Sequence, residues 1–534
     1  MAKTIAEETV PEQTLASIVK EDKIPWYKKS NLRLLYIILI PYCAGAEWTL
    51  GFESGMMNNL QAVDSWVEYF DHPTSATLGL MTAIQSLGMV VSVPFNPYLS
   101  TWLGRRWTIV IGSLINWLGA GLQTGAINYG MFLAGRFFLG FGITFACTEA
   151  AALMGELSYA KERAILTSVF NSMYSVGTII ASGVTMATFA MDSTWAWRIP
   201  SLLQVAFTTL QIILMPLCPE SPRWLVSKDR SDKAYAILHK YHNEGESGDE
   251  YVELEYAQIQ SSLALEKELA SSFLWGDIFR SSAMFRRFAI AGCIGFFGQV
   301  SGNGLITYYF SSILRLVGIS DNHSIQVIIL CYNCWAFCNS VPLAIFMPRF
   351  PRRLVFMGSA AGMGLCFIAW TVSSARFDID GERAAGVTTI VFIFLYNLWL
   401  PKHRLSRSRV HIPNRAFSVH ATHSRIGIQA IKQFVGRAGN FFNAYVNPIA
   451  LDKIGWKYYT VYCVWIFVEG AIVYFLFPET YGSLLEELSF LLEGDKANEK
   501  VRRGVEVVLE EKRGGDGDGD GDVEIVRVRK EGEV

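Results

Sequence analysis

Two carboxylates, Glu47 and Glu53, stand inside one long apolar run near the start of the chain. A charge in hydrocarbon is costly, so an ionisable residue in such a run is a functional site by default. For a carboxylate the chemistry is uptake and release of a proton. The plainer alternative puts Glu53 at the outer end of the run, merely solvated. Cys331, Cys334 and Cys338 have a spacing that could hold zinc. Their run is apolar, so small residues on a buried helix face are the expected reading, and no metal or cofactor is expected. No nucleotide-binding loop or catalytic triad stands up, which argues against an enzyme.

These residues are carried by elements that cannot belong to a soluble protein. The 534 residues are 51% hydrophobic and only 18% charged, against roughly 25% charged for a soluble domain. The apolar residues come in blocks of about twenty, the length that crosses about 30 Å of hydrocarbon as a helix. A formal charge of −2 gives no basic field for nucleic acid. The blocks read as spans near 33–57, 77–99, 107–127, 131–153, 165–190, 199–218, 287–311, 323–347, 354–374, 386–400, 433–451 and 457–477. The polar stretch 219–286 separates two sets of six. The expected organisation is therefore a tail (1–32), a first six-helix bundle (33–218), a central helical loop (219–286), a second bundle (287–477) and a tail (478–534). The Gly-Asp repeat at 514–522 cannot build a core, so disorder is expected there. No cleavable signal peptide is visible.

Loop charges orient the spans. The loop at 58–76 holds Asp64, Glu68 and Asp71 and no Lys or Arg. Arg105 and Arg106, then Arg223, Lys228, Arg230, Lys233 and Lys240, then Arg349, Arg352 and Arg353 fall on alternate loops. Both termini and the central loop are expected to be cytoplasmic.

The halves echo each other. Gly104-Arg105-Arg106 follows the second span and Pro351-Arg352-Arg353 follows the eighth. Pro219-Glu220-Ser221 closes the sixth and Pro478-Glu479-Thr480 the twelfth. Such a repeat places a substrate site at the midplane between halves that rock against each other. At these residues, with Gly135-Arg136, Glu156 to Arg163, Pro219 to Leu225, and Gln299 to Gly304 with Tyr308-Tyr309, the chain resembles the sugar porters of the major facilitator superfamily. It is similar to fungal lactose-permease and hexose-transporter-like members over about 30–400 and 430–490. The resemblance implies an all-α integral membrane protein with the twelve-span major facilitator fold (a 6+6 pseudo-repeat), its tenth span disrupted. It implies proton-coupled uptake of a hexose or disaccharide by alternating access, with sugar, proton and lipid bilayer as partners, in the plasma membrane.

Residue roles follow from the same resemblance. Glu53, two residues after Gly51, matches the carboxylate that takes up the proton, and Arg136 matches its partner. Glu47 is the second choice. A sugar presents many hydroxyls, met by amides that donate and accept and by aromatic faces. Gln299, Asn303, Tyr308, Tyr309 and Asn333 match sugar contacts, although amides in spans also serve as links between helices. Arg105, Arg106, Glu156, Arg163, Glu220, Arg223, Arg352, Arg353 and Glu479 match a cytoplasmic charge network, expected to tie the halves together and close the inner side. The acid that usually stands three residues before each arginine turn is replaced by Thr101 and Pro348.

Residues 401–425 depart from this pattern. They hold six Lys/Arg, four of the eight His and no acid, where the tenth span should still be crossing. Arg415-Ala416-Phe417-Ser418-Val419-His420 can be encoded CGA GCT TTT TCC GTA CAC. One base later the same bases read Glu-Leu-Phe-Pro-Tyr, the opening of the family's motif at this point. About 401–426 is therefore expected to be out of frame, through a mis-assigned splice site or a real lesion. A basic loop insertion is the alternative. Three functional classes follow: a sugar–proton symporter, a sugar sensor, and a non-transporting product.

Overall fold

The structure, a computed structural model, describes residues 22–245, 248–270, 282–346, 351–399 and 422–477. Residues 401–421, Glu479, Pro348 and the C-terminal tail, for which expectations are stated above, lie outside the described residues.

Six long helices form the first half: α1 (Ser30–Leu60), α2 (Ser75–Ser92), α3 (Arg105–Thr124), α4 (Tyr129–Leu157), α5 (Ala160–Thr188) and α6 (Trp195–Leu217). Local chemistry sets their starts. Thr74 and Asn128 cap α2 and α4, and Asn128 accepts from Met131 N at 2.8 Å. The central segment folds as α7 (Ser231–His242) and α8 (Gly248–Ala270) after a short helix, Pro222–Ser227. The second half comprises α9 (Ser282–Val300), α10 (Asn303–Leu316), α11 (Asn322–Phe346), α12 (Arg352–Asp380), α13 (Arg383–Trp399), α14 (Thr422–Ile454) and α15 (Tyr458–Leu476).

Nine stretches among the described residues are long and apolar enough to cross a membrane. One of them, Ala430–Leu476, contains two helices. The arginine-led α3 and the short α13 complete the set of twelve spans read from the sequence.

The seventh span, read from the sequence as 287–311, is not one continuous helix. It breaks between α9 and α10, where Gly302 takes φ +95°. That left-handed conformation suits a residue without Cβ. Tyr309 adds a second irregularity at φ −134°, ψ 23°. Each half has its own core, one around α1, α4 and α8 and one around α10, α12, α13 and α15. The halves meet where α2 packs on α14, α5 on α11 and α1 on α10.

Candidate functional site

Glu53 lies in the last third of α1 and is wholly buried. Arg136, on α4, is also wholly buried. The two do not form a direct ion pair. Gln85 on α2 stands between them, donating from Nε2 to Glu53 Oε2 and accepting at Oε1 from an Arg136 terminal nitrogen at 2.6 Å. Gln85 reaches this position because α2 and α4 approach closely. A Cβ on Gly140 would run into the Gln85 carbonyl. The bridged arrangement leaves Glu53 Oε1 and two Arg136 nitrogens without hydrogen-bond partners among the described residues. A charge pair relayed by an amide can change its pairing by rotation of one side chain, whereas a direct buried pair must be pulled apart. Glu47, six residues earlier, is only half-buried.

Across the interface lie the amides and phenols. Gln299, at the end of α9, is half-buried, and its side-chain amide bonds to no other described residue. Its backbone carbonyl accepts from Asn443 Nδ2 at 2.8 Å. Asn303 is buried just after the break; its Oδ1 is an orphaned acceptor. Tyr308 and Tyr309 lie within electrostatic reach of Arg136. The Tyr309 hydroxyl donates to the Ala444 carbonyl, and Asn440 Nδ2 contacts both Ser86 Oγ (2.7 Å) and Tyr308 Oη (3.3 Å). Asn333 is used differently, donating across the interface to Ser182 Oγ at 2.9 Å.

Sequence reasoning missed Gln85, Asn440, Asn443 and Asn447. The last three fall at i, i+3 and i+7 of α14, a polar stripe that marks one helix face. Tyr462 ties two of them together, its Oη lying 2.6 Å from Asn443 Oδ1 and 2.7 Å from Asn447 Oδ1.

The charge network lies at one end of the first half. Arg105 faces Glu156 (3.3 Å) and Glu149 (3.7 Å), and Ser221 Oγ donates to Glu156 at 2.5 Å. Glu220 accepts from the backbone nitrogens of Arg105, Arg106 and Ser221. Where the family's acid is replaced by Thr101, that residue's carbonyl accepts from the Trp224 indole at 3.1 Å. Glu149, another missed residue, supplies the acid. Arg163 pairs with Glu255 at 2.8 Å, and Arg223 is half-buried in Pro222–Ser227. Arg353 donates to the Tyr474 carbonyl at 2.5 Å, while the Arg352 side chain is outside the described set. Among the described residues these ion pairs join elements of the first half to one another and, through Arg163–Glu255, to the central segment.

The halves are bonded at the opposite end. Gln61 Nε2 donates to the Tyr308 carbonyl at 2.6 Å, Gln326 Nε2 to the Asn59 carbonyl at 3.0 Å, and Asn322 Nδ2 to Asp64 at 2.9 Å. Ser75 Oγ adds a bond to Asp452 at 2.7 Å. The end remote from the arginine turns is thus shut.

The "Sugar (and other) transporter" family model matches residues 38–492. The chain belongs to the sugar transporter family. It is 26% identical over 477 residues to the Saccharomyces cerevisiae protein named sugar transporter STL1, covering 86% of this chain and 81% of that one. It is 25% identical to high-affinity glucose transporter 1 of Candida albicans, over 88% of this chain and 87% of the relative. Among solved structures it resembles XylE, titled a proton:xylose symporter and bound to 6-bromo-6-deoxy-D-glucose. The TM-score is 0.70 at 19% identity, covering 87% of this chain and all of XylE. A partially occluded inward-open form of XylE from E. coli gives 0.68 at 17% identity, covering 85% of this chain and 99% of that one. This sugar transporter family member is a multi-pass membrane protein with the twelve-span major facilitator fold, and its relatives are transporters rather than enzymes.

Proposed function

We propose that this protein takes up a hexose or disaccharide together with a proton, by alternating access in the plasma membrane. The observation that carries the reading is the buried chain Glu53–Gln85–Arg136, with Tyr308 and Tyr309 of the second half within electrostatic reach of Arg136. A carboxylate that can exchange a fixed cation for a proton beside a sugar-binding amide couples the two solutes. Basic loops put the arginine turns and both termini in the cytoplasm. On that orientation, Gln61, Gln326 and Asn322 close the outer gate. XylE's title as a proton symporter supports coupling, and the Candida relative's name supports a hexose. The test is uptake of labelled glucose and lactose in a transporter-null host, with and without a protonophore. Accumulation abolished by the protonophore supports symport. Uptake that only equilibrates and ignores the protonophore overturns the coupling.

One observation favours a second reading, a non-transporting product. The apolar block 386–400 has 15 residues, about 22 Å as a helix at 1.5 Å per residue, short of the roughly 30 Å core. Lys402, His403 and Arg404 follow closely, and Lys or Arg at a span's centre costs about 2.5–3.5 kcal/mol on insertion scales. Sequencing the transcript across codons 395–430 tests the frame directly. A chain restored to the alternative frame should recover membrane expression and transport together. If the sequence as given performs equally well, the basic segment is a real loop.

A further inference from the structure

Glu469 lies in the middle of α15 with 5% of its surface exposed. It is a membrane-depth carboxylate without a counterpart in the roles considered so far. No charged side chain among the described residues acts on it. Its titratable neighbours are Tyr396 on α13, which feels its charge, and through Tyr396 also Cys366 on α12. Phenylalanine-rich packing from α9 fills the same region, with Phe297 and Val473 in one core cluster. A lone ionised carboxylate at that depth is expensive, and nothing here offsets it.

Its single polar partner among the described residues is Ser301, the residue before the Gly302 break. Ser301 Oγ lies 2.8 Å from Glu469 Oε2 and also contacts the Phe297 carbonyl. A serine hydroxyl has one proton. It cannot donate to a carbonyl and to an ionised carboxylate together. Both contacts are satisfied when Glu469 carries a proton: the carboxyl O–H donates to Ser301 Oγ, and the Ser301 O–H donates to the Phe297 carbonyl. The carbonyl of Ser301 in turn accepts from Tyr396 Oη at 2.7 Å, so the break is fixed from α13 and α15 at once.

We propose that Glu469 is a second proton-binding site, in the second half of the molecule, whose occupancy positions the broken seventh span. Loss of the proton turns the Ser301 hydroxyl towards the carboxylate and releases the Phe297 carbonyl. The step moves one proton from the carboxyl oxygen to water and reorients one hydroxyl; no covalent bond in the chain changes. Because Gln299 and Asn303 flank Ser301, the same proton controls the register of the amides offered to the sugar. Glu469 is a positioning residue, and this last consequence rests on the transport reading given above.

The test uses the full-length protein in liposomes and reads protonation without requiring transport. Infrared difference spectra are taken between mildly acidic and alkaline pH for wild type, Glu469→Gln, Glu53→Gln and Ser301→Ala. Glu469→Gln should lose a carboxyl carbonyl-stretch component that Glu53→Gln retains. Ser301→Ala keeps the carboxyl but removes its acceptor, so the component should persist at higher frequency. Hydrogen exchange of the amides from 297 to 303, corrected for intrinsic rates, should rise with pH in wild type and lose that pH dependence in Glu469→Gln. The same spectrum in wild type and in Glu469→Gln, or undiminished pH dependence of exchange in that variant, overturns the proposal. Loss of the component in a protein that moves no sugar supports the proton site and overturns the transport reading alone.

Discussion

Glu53 and Glu469 are both carboxylates buried in the membrane core, one in each half, yet their surroundings differ in kind. Glu53 reaches a cation, Arg136, through one amide. Glu469 reaches only a serine hydroxyl at a helix break. A carboxylate with a cation in reach has two stable partners, the cation or a proton, and can alternate. A carboxylate without one has only the proton. The first arrangement suits coupling, and the second suits holding a hinge. The same residue type, buried within a span, therefore does different work according to what the neighbouring helices present.

The largest expected effect breaks the comparison at its first member. Glu53→Gln should abolish uphill sugar accumulation while exchange of labelled for unlabelled sugar stays measurable, since only the exchangeable proton is lost. Full accumulation by this variant under an inward acid gradient would remove Glu53 from the coupling role.

Next comes the amide beside the hinge that Glu469 steadies. Gln299→Ala should raise the half-saturation concentration roughly ten- to a hundredfold, because unpaired sugar hydroxyls cost about 1–3 kcal/mol. Asn333→Ala should shift it less, since Asn333 already bonds to Ser182. An unchanged half-saturation for Gln299→Ala would make that residue packing alone.

A smaller effect probes how the two halves are closed. Gln61→Ala removes the bond to the Tyr308 carbonyl and those from Ser311 and Ser312. About 1 kcal/mol of lost closure is roughly a fivefold change in an equilibrium. Amide exchange over 308–312 should rise by that order, and unchanged exchange would mean the gate is held elsewhere.

The smallest effect lies outside the membrane core, where a carboxylate is fully paired. Burial works against the ionised form of Glu255, but His242 at 2.7 Å and Arg163 at 2.8 Å outweigh it and hold this carboxyl below its usual value. A depressed folded-state value adds stability above the ordinary carboxylate range and loses it as pH falls through the folded value. Thermal stability should therefore drop on acidification below that range, and Glu255→Gln should flatten the drop. An identical acid limb in the variant would place the sensitivity at other carboxylates.

Much of this was legible without coordinates. The spans follow from apolar blocks of membrane length, Glu53 stood out because ionisable residues are rare in such blocks, and Arg136 was named by the family resemblance. The helix bounds shifted by up to eleven residues, as at α14, which starts at Thr422 rather than 433, and at α2, which stops at Ser92 rather than 99, because caps such as Thr74 and packing decide where a helix starts and stops. Glu469 was passed over although it too is a carboxylate within a span, because no motif drew attention to the twelfth block. The charge network was read as a tie between halves; its described ion pairs join the first half to itself and to the central segment, and Glu479 and the Arg352 side chain lie outside the described residues. Motif spacing says which charges are near a turn, not which helix they face.

The sequence alone determined what is local: the twelve apolar blocks, the two echoing sets of six, the arginine turns, and the carboxylate two residues after Gly51. Each depends on residues close together in the chain, where helix period and hydrophobicity act directly. Only the tertiary structure decided that Gln85 stands between Glu53 and Arg136, that α14 turns a stripe of asparagines towards the seventh span, and that Glu469 meets Ser301 across 168 positions of chain. Those meetings depend on crossing angles and on the close approaches that residues such as Gly140 permit, and neither is written in any one stretch of residues.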